Sequence, residues 1–149
     1  MKHIPRRSPF ATLAAGLLLA LLATTTRAEM RQYGSFEVHY SVFSSSFLQP
    51  GIAAAYGIVR AKDRALINIA VRRGTRDAAT VSAVLSGTRG DLIRKTPLEF
   101  REIREEQAVY YIAEFGFVSG ETQYFDIAIQ PAGETRPLVL QFNHVLYAD

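Results

Sequence analysis

Beyond residue 28, hydrophobic and polar positions alternate with a period of two along most of the chain, most densely in AVYYIAEFGF, residues 108–117. There Tyr111, Ala113, Phe115 and Phe117 share one face, and Tyr110, Ile112 and Glu114 share the other. Aromatic and β-branched residues at alternate positions predict a strand lodged in a sheet and packed on one face. The same period predicts a first strand in GSFEVHYSVF, with Phe36, Val38, Tyr40 and Val42 inward and Glu37, His39 and Ser41 outward. Arg64 to Arg72 follows, where Ala65, Ile67, Ile69 and Val71 oppose Leu66 and Asn68. Further strands are expected over Ala79 to Leu85, a short Leu92 to Arg94, and a charged stretch around Leu98, Phe100 and Ile103. The last two run from Thr122 to Gln130, with Phe125, Ile127 and Ile129 on one face, and from Leu138 to Tyr147, through Leu138, Leu140 and Phe142.

Breaks in the alternation mark the connections. Ser44, Ser45 and Ser46 end the first strand, and Phe47-Leu48-Gln49-Pro50-Gly51 is turn-prone, with Phe47 and Leu48 expected to plug one end of the core. Pro50 then precedes IAAAY and Gly57, a short helix with proline near its first position, expected to lie across an open end of the sheets. Ser86 to Asp91, with two glycines among small polar residues, reads as a hairpin loop. Seven or eight strands, one short helix and no helices alternating with strands define an all-β chain. The expected architecture is a two-layer antiparallel sandwich resembling immunoglobulin or fibronectin domains. A closed or partly open barrel, with room for a ligand inside, is the alternative.

Charge and export alter the picture. Lys2, Arg6 and Arg7 precede the uncharged run from Phe10 to Ala23, and Thr26 and Ala28 place small side chains before Glu29. This predicts a secretory signal peptide over residues 1–28, cut before Glu29; the run is too short for a membrane span of about 17 to 25 residues. Taking Lys2, Arg6, Arg7 and Arg27 from the 17 basic side chains leaves 13 against 14 acids, so the formal charge of the mature chain is −1 instead of +3. A basic surface for nucleic acid is therefore not expected, and neither is a membrane span in the mature chain. With no cysteine, residues 29–149 form one domain held by packing alone.

Candidate chemistry is sparse. His39 and His144 are the two imidazoles left after cleavage, and with an acid such as Glu37 or Asp149 they offer a zinc or copper site if the first and last strands are neighbours, though no H-x-H or H-E-x-x-H spacing supports it. No G-x-S-x-G motif appears. Glu102, Glu105 and Glu106 read as a solvated edge, and Arg89-Gly90-Asp91, the triplet read by adhesion receptors, as a turn. Tyr56 and Arg60, with Lys62 and Arg64 following, place an aromatic ring and cations just past the short helix, the preferred binding patch.

The leader, FEVHY at residues 36–40, the run FLQPGIAAAYGIVRAKDRALINIAV and the closing FNHVLY together resemble a family of small exported gammaproteobacterial proteins with a domain of unknown function (DUF4426-like). The resemblance covers nearly the whole mature chain and is most specific at Ala55 to Arg60 and Asn68 to Val71. It implies an exported, periplasmic, sandwich-like domain and carries over no catalytic or binding residue. The expected function is a non-enzymatic periplasmic binding or accessory role, without a cofactor, through a strand edge or the Tyr56 to Arg64 region. Two alternatives remain: a small metal-dependent or hydrolytic enzyme built on His39 and His144, and a hydrophobic-ligand carrier using Phe36, Tyr40, Tyr111, Phe115, Phe117, Phe125 and Phe142.

Overall fold

The computed structural model describes residues 28–74 and 79–148. The expected leader lies, apart from Ala28, outside the described residues, as does Asp149. Among the described residues there are nine strands, against the seven or eight expected: β1 (Glu29–Tyr33), β2 (Phe36–Ser44), β3 (Arg64–Arg73), β4 (Ala83–Gly90), β5 (Lys95–Pro97), β6 (Arg101–Glu105), β7 (Ala108–Gly116), β8 (Thr122–Pro131) and β9 (Leu138–Val145). They form two antiparallel sheets, one ordered β1-β2-β3-β7-β6 and the other β5-β4-β8-β9. The fold is thus the expected all-β sandwich.

The inward positions read from the alternation meet between the sheets. Val38, Ile67, Ile69 and Val71 of the five-stranded sheet and Ile127, Ile129 and Leu140 of the four-stranded one are fully buried in a single cluster. Strand β7 lies between β3 and β6, with Tyr111, Ala113 and Phe115 facing inward. Aromatic rings close on one another: Tyr40 lies 4.6 Å from Phe142, Phe142 stacks on Phe125 at 4.7 Å, and Phe115 meets Phe125 edge-on at 5.6 Å. Such contacts add to the roughly 1.5–3 kcal/mol that each buried side chain contributes.

Several local expectations are corrected. Ser86 to Gly90 is not a hairpin loop; it continues β4, pairing with Ala128 to Tyr124 on β8. Gly87 is a close-approach glycine, since a Cβ there would stand 2.7 Å from the Asp126 carbonyl. The turn comes later, over residues 91–94, where a strand was expected: the Asp91 carboxylate accepts from the backbone N–H groups of Ile93 at 2.7 Å and Arg94 at 2.5 Å. Residues 80–81, expected in a strand with Leu85, instead lie along the five-stranded sheet. Thr80 bridges Arg72, and the Val81 N–H donates to the Val71 carbonyl at 2.8 Å, before the chain crosses to β4.

The helix α1 (Pro50–Ala55) does not cross an open end either. It lies on the outer face of the five-stranded sheet, where Leu48, Ile52, Ala53 and Ile58 pack with Leu66 and Ile112 in a second buried cluster. Those two strand residues occupy outward positions, and their apolar surface requires cover. Leu48 is buried here instead of in the main core, and Phe47 is 61% exposed, so neither plugs an end.

Candidate binding surface

The segment over the outer face is held as a strap. Ser45, in a 3-10 turn (Ser45–Phe47), is buried and grips Ala61 twice: its hydroxyl accepts from the Ala61 N–H at 3.0 Å and donates to the Ala61 carbonyl at 3.2 Å. The Arg60 guanidinium donates to the Ser46 carbonyl at 3.0 Å, and Arg101 on β6 donates to the Tyr56 carbonyl at 2.9 Å. Glu114 on β7 gathers the rest, accepting from Arg101 at 3.1 Å and the Val59 N–H at 3.4 Å, with Arg64 at 3.6 Å. Of the four residues in the patch read from the sequence, Arg60 closes the strap on itself through Ser46, Arg64 at the start of β3 pairs with Glu114 of β7, Tyr56 is half-buried at the end of α1, and Lys62 is exposed.

The two histidines are not brought together. His39 sits on the outer face of the five-stranded sheet, its Nε2 3.2 Å from the Glu37 carboxylate. His144, opposite Gln123 on β8, follows the parity of Leu140 and Phe142 and faces the interior, where burial lowers its pKa and Glu29 partly opposes the shift. Among the described residues, no group of three or more His, Cys, Asp or Glu side chains is placed to hold a metal ion.

A polar seam inside the sandwich was missed by the sequence reading. The Tyr40 hydroxyl donates to Glu29 at 2.7 Å, and burial, reinforced by that hydrogen bond, pushes its pKa up to about 12. Arg89 also points inward, so the adhesion triplet is not displayed on a loop. Its guanidinium donates to the buried Gln123 at 3.1 Å and lies 5.3 Å from the Phe115 ring centre, and burial lowers its pKa. The parity of β4, once extended to Gly90, places Arg89 on the inner face.

The four sheet edges differ sharply. β1 has five residues and carries Glu29 and Arg31; β5 has three, with Lys95 and Pro97; β6 reads REIRE, confirming a charged edge. β9 is eight residues long, LVLQFNHV, without a carboxylate, lysine, arginine or proline. The Val139 carbonyl is turned away from β8, because it accepts from the Tyr33 hydroxyl at 2.7 Å. The two-residue period then turns the backbone N–H and C=O groups of Gln141 and Asn143 outward as well.

A two-layer antiparallel sandwich with one strapped face and one long uncharged edge defines the structural class. Within it the chain belongs to the family described as a domain of unknown function, DUF4426, whose model matches residues 30–149. A crystal structure of a DUF4426 family protein from Pseudomonas aeruginosa PAO1 is 36% identical, covers 82% of this chain and 96% of its own, and superposes with a TM-score of 0.71. Two structures of FetP from uropathogenic Escherichia coli strain F11, one described as isolated and one a copper-bound variant, share the fold at 10% and 11% identity. Each has a TM-score of 0.58; they cover 82% and 83% of this chain and 95% and 97% of their own. No match is found among curated proteins. Among the described residues, no helix is long and apolar enough to cross a membrane.

Proposed function

We propose that the protein is a non-enzymatic accessory domain of the periplasm that holds an extended segment of a partner protein against β9. The observation carrying this reading is the contrast between edges: three are short, charged or interrupted by proline, the devices that block strand addition, and β9 has none of them. Main-chain hydrogen bonds at such an edge supply affinity, and alternate side chains supply specificity. The basic leader supports the periplasmic setting. The Tyr56 to Arg64 region serves better as the strap that stiffens the opposite sheet, since the Tyr56 carbonyl and the Val59 N–H are bonded to Arg101 of β6 and Glu114 of β7 and the Arg60 guanidinium is taken up by Ser46.

The test is site-specific photo-crosslinking in the periplasm, with p-benzoylphenylalanine replacing Val139 on β9 or Glu102 on β6. Adducts should form from the β9 position, map to one extended segment of one protein, and disappear in an Asn143→Pro background, where the outward N–H is gone. Equal yields from both positions, or adducts indifferent to Asn143→Pro, would overturn the reading.

A further inference from the structure

The outer face of the four-stranded sheet carries an open groove of about 340 Å³ lined by Lys95, Tyr124, Asp126, Gln141 and Asn143, together with Phe125 and Phe142 of the same two strands. The register brings these side chains together: Tyr124 stands opposite Asn143, Asp126 stands opposite Gln141, and Lys95 of β5 reaches to 3.7 Å from the Asp126 carboxylate. Phe125 and Phe142 belong to the core, but the five polar and aromatic members sit at outward positions, so the inner core gives no reason for their grouping. The groove lies on the face of β8 and β9, whereas strand addition would use the in-plane edge of β9, and the two readings stand independently.

Its chemistry narrows the ligand. The ion pair between Lys95 and Asp126 cancels the local charge, which disfavours a bare anion or cation. Gln141 and Asn143 contribute two carboxamides, each with two N–H donors and a carbonyl acceptor held in one plane, and Asp126 adds a bidentate acceptor. Tyr124, 36% exposed, presents an aromatic surface beside them. A neutral molecule with an apolar C–H face on one side and adjacent hydroxyl groups around its rim satisfies all of these at once: the ring covers Tyr124, and paired hydroxyls bridge the amides. The volume falls at the lower end of the roughly 300–1,000 Å³ of small-molecule sites, which suits one or two sugar rings. We infer that this groove is a saccharide-binding site, taking a neutral pyranose unit of an oligosaccharide.

The test uses the exported, processed chain labelled with ¹⁵N and titrated separately with maltotriose, chitotriose and adenosine. One of the two sugars should give saturable shifts confined to residues around Tyr124, Asp126, Gln141 and Asn143, and the better of them identifies an α-glucan or an N-acetylglucosamine oligomer as the natural source. Tyr124→Ala and Gln141→Ala should each weaken that binding about tenfold or more, with the remaining spectrum intact, while Tyr147→Ala, at an exposed tyrosine elsewhere, should leave it unchanged. Absence of saturable shifts with both sugars, retention of full affinity in Tyr124→Ala, or tighter binding of adenosine at the same residues would each overturn the assignment.

Discussion

The outer faces of the two sheets begin from comparable sequence and end in opposite states. On the five-stranded sheet, Leu66 and Ile112 are 1% and 6% exposed; on the four-stranded sheet, Val84 and Val139 are 75% and 52% exposed. All four are aliphatic residues at outward positions of a strand. What separates them is a passing segment, residues 45–61, that crosses one face and leaves the other open. Strand parity therefore says which way a side chain points, and the route of the connecting chain decides whether it meets protein or water. One face is buried under its own chain, and the other stays open to solvent.

The sharpest way to break this comparison is a pair of truncations at outward positions. Leu66→Ala should cost about 2–5 kcal/mol, the range for emptying a buried aliphatic site. Val84→Ala should stay within about 0.5 kcal/mol of wild type, as surface changes do. Urea unfolding with comparable slopes for the three proteins measures both. Similar costs at the two sites would mean that the strap does not seal its face.

Most of the inner core was legible from alternation alone, because a period of two is a local property: Phe36, Val38, Tyr40 and Val42 fall inward as read, and so do Phe125, Ile127 and Ile129. The strap was not legible in the same way. Leu66 and Ile112 break the polar outer pattern and signal cover, but the covering chain is named only by a contact between residues distant in sequence. Gly87 misled for a related reason: a glycine required by a neighbouring strand looks, in one dimension, like a glycine required by a turn. Of the candidate site, the likeness to a known family was readable. The groove was not, since Tyr124 and Gln141 become neighbours only through the β8–β9 register.

A smaller effect tests how the strap is fastened. Glu114 serves two arginines and a backbone N–H while largely shielded from solvent, whereas Arg64 and Arg101 are partly exposed. Glu114→Gln keeps the shape and removes the charge, so the loss should be about 1 kcal/mol, discounted from a buried ion pair because solvent screens the guanidinium side. The same variant should respond less to added salt than wild type does between about 20 mM and about 0.5 M, where the screening length falls sharply. An unchanged unfolding midpoint, or identical salt dependence, would show that the Glu114 charge has no part in holding the segment down.

The smallest effect concerns the inner and outer histidines. His144 faces the interior opposite Gln123, with Glu29 the charged group acting on it, and burial holds its pKa below the ordinary value. In the unfolded chain the imidazole protonates near its usual pKa of about 6.5, while in the folded chain it resists. As pH falls through that value the unfolded state takes up more protons, so folding stability drops; above about pH 7.5 the residue contributes no pH dependence. Measured as urea midpoints from pH 8 to pH 5, wild type should therefore lose stability relative to His144→Gln on the acid side of this window. His39 is present in both proteins and cancels in the difference. Parallel curves would place His144 in water and remove, at that position, the distinction between a sealed interior and an exposed outer face.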